Sequence, residues 1–431
     1  MKVAVAGLWH LGLVTAACLA AAGHDVIALA DDPGEAHSLQ EGRLPVHEPG
    51  LAALVSAGIA EGRLRFASDP AAIRGAQFLW ITYDTPVDDD DRADPGFVMN
   101  RVRRLFGELA QGTMVLISSQ LPVGSTRALR DDYATAFPGR NVSFACLPEN
   151  LRLGAAIDVF TRPERVVAGA DLAGDRERIA ALLEPVTHGS PIEWMGVESA
   201  EMTKHALNAW LGLSVAFANE IAALCERVGA DASEVARGVM TDARVGDRAY
   251  LRPGAAFAGG TLARDLRFLE ERARAEGVAL AIPPAAIASN AAHRQWTGTR
   301  LRDFLPDLRG RRIALLGLAY KPGTSTLRRS GAVDLARRLV GEGALVTAWD
   351  PLAGDLPDDL GAVARCATPL EALAGAEAAV IGGNWPELAG LTAGDVSAAM
   401  ASPLVLDPAR HLGPTLGRDS RIRLVSVGRT A

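Results

Sequence analysis

The most restrictive feature of the sequence is a rhythm of short apolar runs that end at glycine or proline loops and alternate with helical segments. The opening KVAVAGLWHLGLVTAACLAAAGHDVIALADD contains a strand, a helix and a second strand. AQFLWITYDTP and TMVLISSQLP are further apolar runs that stop at proline-bearing loops, a pattern typical of parallel strands whose carboxyl ends face a ligand. We therefore predict a doubly wound α/β domain at residues 1–195.

The same rhythm returns after residue 298. RRIALLGLAY is an apolar run that ends at a loop, GAVDLARRLVGEGA is a helical segment, and LVTAWDP is the next strand. Two later apolar runs also end at loops. The sequence therefore predicts a second doubly wound domain at residues 299–431.

Between these domains the period of the apolar residues becomes helical. The stretch GVESAEMTKHALNAWLGLSVAFANEIAALCERVGADASEVARGV is too long for an ordinary surface helix and indicates a connecting helix followed by a second one. Long connecting helices often carry a dimer contact. We predict an α/β protein with two Rossmann-like domains, joined by a helical dimerisation region at residues 196–298, and therefore a homodimer.

Composition excludes several classes of function. The chain has 431 residues, 49% of them hydrophobic and 22% charged, which is typical of a globular protein with two or three domains. Its formal net charge of -7 gives no general attraction to nucleic acid or to an anionic membrane. The apolar N-terminus is interrupted by Gly7, Trp9, His10, Gly12 and Gly23, so we expect no signal peptide. No uninterrupted apolar run reaches the roughly 20 residues that a membrane span needs, so we expect no span. The expected compartment is the cytoplasm.

The cysteines and histidines do not indicate a metal site. Cys18, Cys146, Cys225 and Cys366 are far apart, and they are most simply interpreted as reduced, partly buried side chains. The eight histidines are also dispersed. We therefore predict no structural metal.

Eight motifs occur in an order that is specific when they are taken together. They are GHDV, EPGL, DTP, LPVG, PENLRLGAAIDVF, TKHALNAW, ANEIAALCERVGAD and GLAYKPGT with LRRSGAVDL. With them the chain resembles the UDP-glucose/GDP-mannose dehydrogenase family over essentially its full length. The resemblance implies an NAD-dependent enzyme that oxidises the C6 alcohol of a sugar to a carboxylate in two hydride transfers. In that family a cysteine nucleophile captures the intermediate aldehyde.

Gly7, Trp9 and Gly12 occupy the glycine positions of the dinucleotide fingerprint G-x-G-x-x-G. The first and third glycines are present, but Trp9 replaces the second, which lets the backbone approach the pyrophosphate. Two interpretations are open. The indole crowds a bound cofactor, or it turns outward or packs on the neighbouring loop.

The acidic residue expected after the second strand, which would bind the ribose hydroxyls, aligns with Ala30, and Asp31 and Asp32 follow it. A neighbouring aspartate could take over this role after a small change of register. No arginine follows immediately, so we expect NAD rather than NADP as the cofactor. The resemblance also places three further residues at the cofactor, namely Thr85, Gln120 and Arg264.

Four residues match the catalytic groups of the family. Lys204 and Asn208 are four positions apart on one predicted helix and so share a face. Their family counterparts reach the reacting carbon, where a cation or an amide stabilises a developing alkoxide. Asp265 matches an aspartate that activates water or relays a proton, and Glu149 matches a glutamate that orders the hydrolytic water. Without the resemblance, the lysine would be an ordinary solvated side chain and the carboxylates surface charges or helix caps.

The segment AFAGGTLARD departs from the family, whose version reads roughly G-Y-G-G-S-C-F-P-K-D. The family cysteine aligns with Thr261 and the family lysine with Arg264. A threonine hydroxyl has a far higher pKa than a thiol, and no activating base is adjacent, so we expect no thiolate chemistry at this site residue. Further family side chains are replaced at Gln120, Leu153, Ser325, Thr326 and Arg329.

The nucleotide-sugar side is better retained. Lys321 and Arg328 match family residues near the bound nucleotide sugar, where cations suit a pyrophosphate, although an exposed basic loop would look similar. The resemblance implies further substrate contacts by Lys204, Asn208, Phe257 and Gly259.

Two functions follow from these residues. The first is an NAD-dependent oxidoreductase that acts on the CH–OH group of a UDP- or GDP-sugar, with its four-electron oxidation altered by Thr261. The alternative is a non-catalytic homologue that binds a nucleotide sugar or a partner enzyme. Trp9, Ala30 and Thr261 favour the alternative, whereas Lys204 and Asp265 favour chemistry.

Overall fold

A computed structural model describes residues 1–88, 92–149, 151–258, 260–320 and 322–429. The chain divides into two compact units, Met1–Leu207 and Asn208–Ala431. The sequence boundaries at residues 195 and 298 stay a prediction.

The first unit contains a predominantly parallel sheet. Its strands are β1 (Lys2–Ala6), β2 (Asp25–Leu29), β3 (Leu64–Ala67), β4 (Phe78–Ile81), β5 (Met114–Ile117), β6 (Ser143–Cys146), β7 (Val166–Gly169) and β8 (Ile192–Met195). They lie in the order β3-β2-β1-β4-β5-β6-β7-β8, and β6 pairs with β7 in the antiparallel sense. The strand order reverses between β1 and β4, which are parallel neighbours. Doubly wound sheets bind ligands in the crevice at the carboxyl ends of such strands.

Helices cover both faces of this sheet. They are α1 (His10–Ala21), α2 (Pro33–Gln40), α3 (Leu51–Ala60), α4 (Pro95–Leu105), α5 (Ser125–Ala136), α6 (Ala156–Thr161) and α7 (Ala173–Thr187). The next helix, α8 (Val197–Val228), begins in the first unit and continues into the second. Residues Gly12 to Ala20 of α1 are all buried, because this helix packs against the sheet as well as against α3 and α6. The unpatterned apolar sequence of α1 is therefore explained by burial on all sides.

The second unit combines helices with a parallel sheet. Its helices are α9 (Ala232–Met240), α10 (Thr261–Ala275), α11 (Ile282–His293), α12 (Trp296–Phe304), α13 (Gly331–Gly341), α14 (Pro369–Leu373), α15 (Ala393–Ala399) and α16 (Gly413–Leu416). Its strands are β9 (Arg312–Leu316), β10 (Leu345–Trp349), β11 (Ala364–Arg365), β12 (Ala378–Ile381), β13 (Leu404–Leu406) and β14 (Arg423–Val425). Short 3₁₀ helices in the two units span Pro70–Ile73, Phe106–Glu108, Asp358–Leu360 and Pro386–Gly390.

The second sheet has the order β11-β10-β9-β12-β13-β14, which repeats the winding of the first six strands of the first sheet. Both sheets therefore have the order of a Rossmann fold, 3-2-1-4-5-6. The predicted fold class, two Rossmann-like domains with a helical region between them, is confirmed.

Three of the four cysteines are buried and all are free, in agreement with the prediction of reduced side chains. Within the described ranges, no group of three or more His, Cys, Asp or Glu residues is arranged to hold a metal ion. By length and composition alone, α8 could cross a membrane, with a mean hydropathy of 1.3 in its most apolar window.

Candidate active site

The loop between β1 and α1 is shaped by two glycines. Gly7 has a φ of 102°, and a Cβ there would lie 2.4 Å from the amide nitrogen of Tyr83. A Cβ on Gly12 would lie 2.0 Å from the carbonyl oxygen of Gly7. The Thr82 hydroxyl donates to the Gly7 carbonyl at 3.0 Å and so joins this loop to the end of β4. Both glycines are required for the close packing of strand, loop and helix.

Trp9, at the second glycine position of the fingerprint, is the N-cap residue of α1. Its φ of -86° is accessible to any residue, so this position needs no glycine for backbone reasons. The side chain is 49% exposed and so lies outside the core. Among the described residues, no side chain caps α1. The glycine cradle and the first-turn amides therefore suit the diphosphate of a dinucleotide, and the crowding of a cofactor by the indole stays a prediction.

The two aspartates after β2 have different partners. Asp32 is the N-cap of α2 and accepts hydrogen bonds from the amides of Gly34 and Glu35, at 2.8 and 3.0 Å. Asp31 accepts a hydrogen bond from the Arg101 guanidinium of α4. Ala30 is buried. Asp32 is therefore occupied as a helix cap. Asp31 is the carboxylate that stays available at the carboxyl end of β2.

Glu48, in the motif EPGL, joins three segments of the first unit. This buried carboxylate accepts hydrogen bonds from the amides of Gly154 and Ala156, at 2.8 and 2.9 Å, and lies 2.8 Å from His10 Nε2. Burial opposes ionisation, but these hydrogen bonds outweigh it and lower the pKa of Glu48. In the sequence, EPGL indicated only the family, and no local pattern predicted this role of Glu48.

A pocket beneath the first turns of α8 brings together three of the predicted site residues, Gln120, Glu149 and Lys204. Its lining consists of Ile117, Ser118, Ser119, Gln120, Leu121, Cys146, Pro148, Glu149, Glu201, Lys204 and His205. The Lys204 ammonium donates to the carbonyl oxygen of Glu149. The Thr85 hydroxyl donates to the carbonyl oxygen of Gln120 at 2.6 Å. The loops after β5 and β6 thus line this pocket together with α8, and the loop after β4 supports it through Thr85.

Glu201 and His205 shape the same pocket and were missed from the sequence. The buried Glu201 carboxylate accepts hydrogen bonds from the amides of Gly124 and Thr126, at 2.6 and 2.9 Å, where α5 begins. His205 Nε2 lies 2.9 Å from the carbonyl oxygen of Leu121. Glu201 lies three positions before Lys204 and four before His205 on α8, and these spacings could have indicated that Glu201 is near both.

In the second unit, Asn208 donates a hydrogen bond from its side-chain amide to the Asp265 carboxylate. Both side chains are buried, and Asp265 is fully so. Arg264, the residue before it, is also buried. A buried carboxylate bonded to an amide keeps a fixed orientation, which suits a group that transfers a proton or positions an alcohol.

Thr261 is the exposed first residue of α10, directly after Gly260 with its φ of 96°. The Arg329 side chain lies against this turn, because a Cβ on Gly260 would be 3.2 Å from its guanidinium. Arg329 is itself in the left-handed region, with a φ of 62°. Arg328 is exposed in the same loop, whereas Gly259 and Lys321 lie outside the described residues.

Three side chains that the sequence did not single out hold the loop before α10. Asn290 accepts from the amide of Phe257 at 2.9 Å and donates to its carbonyl at 2.8 Å. His293 Nε2 lies 2.7 Å from the Gly254 carbonyl, and Asn219 accepts from the Gly254 amide at 2.9 Å. The position of Phe257, a predicted substrate contact, is thus fixed by α8 and α11.

The buried thiols are poor nucleophiles. Burial raises the pKa of Cys18 to about 12 and also raises that of Cys146. Cys225 is buried in the core of the second unit. None of these three cysteines therefore supplies the activated thiolate that the site lacks at Thr261.

A glycine cradle after the first strand, a partly buried lysine and a buried Asn–Asp pair are the features expected of one class of protein, the NAD-dependent dehydrogenases. Three domain profiles of the UDP-glucose/GDP-mannose dehydrogenase family match the chain. The NAD-binding domain matches residues 1–187, the central domain residues 198–292 and the UDP-binding domain residues 314–414. The chain belongs to this family.

Named relatives span most of the chain. UDP-glucose 6-dehydrogenase of Rhizobium meliloti is 34% identical over 414 residues, which is 94% of either chain. GDP-mannose 6-dehydrogenase of Pseudomonas putida is 33% identical and covers 81% of either chain. The solved UDP-glucose dehydrogenase of Pyrobaculum islandicum is 29% identical, with a TM-score of 0.87 over 100% of this chain and 98% of its own.

Proposed function

We propose that this chain oxidises an alcohol carbon of a nucleotide sugar, with NAD as the hydride acceptor. The observation that carries the proposal is the buried contact between Asn208 and Asp265, which stand at positions where the family has its reacting groups. If this amide and this carboxylate had no role at a site, they would not need to be buried. The relatives named for UDP-glucose and GDP-mannose support a UDP- or GDP-sugar as the substrate.

The chain's own residues would divide the work as follows. NAD would supply the hydride acceptor, and the glycine cradle of Gly7 and Gly12 would hold its diphosphate. Lys204 stabilises the negative charge that develops on the substrate oxygen, because a partly buried ammonium group is a strong electrostatic partner. Asn208 orients Asp265, and Asp265 takes the alcohol proton. Phe257 and Arg328 would contact the sugar and the diphosphate.

We infer that the reaction stops at the carbonyl stage. The second oxidation in the family needs a thiol that forms a covalent adduct with the aldehyde, and Thr261 cannot supply a thiolate at neutral pH. The leading prediction is therefore a two-electron oxidation that yields one NADH per sugar.

The test is incubation of the protein with NAD and a panel of UDP- and GDP-sugars, followed by mass analysis and an NADH count. We expect a carbonyl product trapped by a hydrazine reagent. Thr261→Cys should raise the yield of acid, while Thr261→Ser should not. Rapid formation of a uronic acid with two NADH per sugar by the unaltered protein would overturn the assignment of Thr261.

A second candidate function, a non-catalytic sensor of nucleotide sugars, is favoured by three replacements at cofactor and catalytic positions. Ala30 carries no carboxylate, and Trp9 and Thr261 stand where the family has a glycine and a cysteine. Calorimetric titration with NAD and with UDP- and GDP-sugars separates the two functions. Binding of a nucleotide sugar without NAD binding at millimolar concentration would favour the sensor.

We further propose that the protein is a cytoplasmic homodimer. The cytoplasm holds the pools of NAD and nucleotide sugars that the reaction requires. The exposed apolar side chains of Trp210, Phe217 and Leu224, seven residues apart on α8, support the dimer.

A further inference from the structure

Glu48 lies between two segments that the proposed reaction uses, although it belongs to neither of them. Its side chain is 1% exposed. The Oε2 atom of this carboxylate lies 2.8 Å from His10 Nε2 and accepts from the Gly154 amide at 2.8 Å, so one oxygen atom serves both segments. The Oε1 atom accepts from the Ala156 amide at 2.9 Å. In a close-packed interior, a displacement of His10 therefore changes the position of the acceptor that Gly154 uses.

The first of these segments is the turn proposed to hold the diphosphate. His10 is the first residue of α1 and follows the N-cap residue Trp9. Its side chain is 14% exposed and lies against Glu48. An anion at the start of a helix is bound by the amides of the first turn, so a diphosphate there fixes the backbone of His10. The imidazole then holds the Glu48 carboxylate in one position.

The second segment depends on Glu48 because it lacks a cap of its own. Ala155 is the N-cap residue of α6, and its methyl group cannot accept a hydrogen bond, so Glu48 supplies the acceptor for the first turn. Gly50, two residues after Glu48, also lies close to this helix, since a Cβ on it would be 3.4 Å from Ile157 Cδ1. The motif EPGL thus sets the position of α6.

The second segment also reaches the residue that holds Lys204. The Lys204 ammonium donates to the carbonyl oxygen of Glu149. Leu151 donates its amide to the Glu149 carboxylate, and Ala155 donates its amide to the carbonyl oxygen of Arg152 at 2.9 Å. Coupling between sites is carried by contiguous chains of hydrogen bonds and packed side chains of this kind. A change at the α6 end of the segment therefore reaches the acceptor of Lys204.

We propose that Glu48 is a positioning residue that couples the diphosphate cradle to Lys204. Occupation of the cradle fixes His10, Glu48 then holds residues 151–156, and this segment orients the carbonyl group to which Lys204 donates. Binding of the dinucleotide thereby fixes the ammonium group before the sugar reacts. The inference rests on the proposed function in requiring a diphosphate at α1 and a role for Lys204 at the substrate.

The experiment uses ADP as the probe, because it carries a diphosphate but no nicotinamide, and its effects are independent of hydride transfer. Binding of ADP to the full-length protein is measured by calorimetry. Amide exchange in residues 151–156 is followed by mass spectrometry, with and without saturating ADP. We expect ADP to slow this exchange about fivefold in the unaltered protein, which is at the lower end of ordinary coupling between two sites.

The second readout is Lys204 itself. The sequence contains three lysines, Lys2, Lys204 and Lys321, so mass spectrometry can follow acetylation by a limiting amount of acetic anhydride at each of them. Saturating ADP should slow acetylation of Lys204 about threefold to fivefold, because its ammonium group is held more firmly. Lys2 begins β1, at the end of the strand opposite the cradle, and its rate should not change.

Two variants of His10 test the coupling without removal of Glu48. His10→Leu loses the contact with the carboxylate and leaves the amides of Gly154 and Ala156 with their acceptor. At saturating ADP we expect this variant to show no slowing of exchange or of Lys204 acetylation. His10→Gln should keep both effects, because its side-chain amide can still donate to the carboxylate.

Glu48→Gln should lose both effects of ADP as well, and it should also exchange faster in residues 151–156 without ADP. Matched controls are His37→Leu on α2 and Glu61→Gln after α3, both at exposed positions. They should respond to ADP as the unaltered protein does. Circular dichroism should show that every variant is folded.

Three results would overturn the proposal. They are no binding of ADP at millimolar concentration, binding of ADP without a change in either readout, and a full response to ADP in His10→Leu. A purely structural role of Glu48 would give the last of these results. Failure of the proposed function would look different, since both effects of ADP without oxidation of any nucleotide sugar would contradict the reaction and support the coupling through Glu48.

Discussion

This chain differs from its family at single residues, while the glycines beside those residues are retained. Gly7 and Gly12 make contacts that a Cβ would prevent, but Trp9 between them has ordinary backbone angles. Thr261 likewise stands at the start of α10, after a glycine that needs a positive φ. The backbone of both sites is thus preserved, and the changes affect the side chains that a ligand would meet.

Trp9→Gly should strengthen NAD binding, because it restores the glycine at which the backbone approaches the pyrophosphate. We expect a gain of about fivefold or more in affinity by calorimetry, which corresponds to about 1 kcal/mol. Ala30→Asp should add to that gain by supplying a carboxylate for the ribose. Trp194→Phe, a change away from the cradle, serves as the control. Unchanged NAD affinity in both Trp9→Gly and Ala30→Asp would contradict the steric argument.

Glu48 should make the stability of the protein depend on pH. Its pKa is lowered from 4.5 in the folded state, so its contribution is complete above about pH 4.5 and is lost as the pH falls through the lower value. Glu48→Gln should reduce the free energy of unfolding at pH 7 by about 2 kcal/mol, because two amides and His10 lose a charged acceptor.

Denaturant unfolding at pH 7, 5 and 3.5 checks this expectation. The difference between the unaltered protein and Glu48→Gln should shrink at the lowest pH, because below pH 4.5 the unfolded state takes up a proton at Glu48 more readily than the folded state does. Glu61→Gln, at an exposed position, should cost little at any pH. A difference that stays constant from pH 7 to 3.5 would show that charge on Glu48 does not stabilise the fold.

At the scale of elements, the sequence predicted what is encoded locally. A short apolar run followed by glycine and a helical segment marks β1 and α1, and the same signal marks β9. The loop before α10 is different, because Asn290 holds Phe257 from 33 positions away and no local pattern indicates the pair. The Arg101–Asp31 contact was missed for the same reason. The sequence could predict those site residues that match a motif. It could not predict the distant residues that orient them.

Asn290→Leu should destabilise the second unit and loosen the loop that carries Phe257. The buried amide satisfies one donor and one acceptor of the Phe257 backbone, and both would lose their partner. We expect a loss of about 2–3 kcal/mol in the free energy of unfolding and faster amide exchange in residues 254–257. Ser289→Ala, one residue earlier on α11, is the control. Unaltered exchange in this loop would show that Asn290 does not hold it.

At the scale of the molecule, the two sheets share one winding but differ in the residues after their second strand. In the first, the buried Ala30 follows β2, and the next residue, Asp31, is exposed and bonded to Arg101. In the second, Asp350 is buried and accepts from the amides of Leu318 and Ala319 at 2.7 and 2.8 Å, so it supports the loop after β9. A carboxylate bonded to its own loop is poorly placed to bind a ribose. The two domains therefore share one topology but offer different groups to a ligand after their second strands.

The last prediction concerns assembly. Trp210, Phe217 and Leu224 recur every seven residues on α8 and are 64%, 51% and 59% exposed, which forms an apolar stripe along one face of the helix. Burial of such side chains stabilises by about 1.5–3 kcal/mol each, so a second copy of α8 is a suitable partner. We expect a dimer by light scattering and a monomer for Phe217→Glu. Val245→Glu, which is exposed outside α8, should remain a dimer. A monomeric unaltered protein, or flotation of the protein with lipid vesicles that Phe217→Glu abolishes, would contradict the dimer, because the stripe would then be solvated or bound to a membrane.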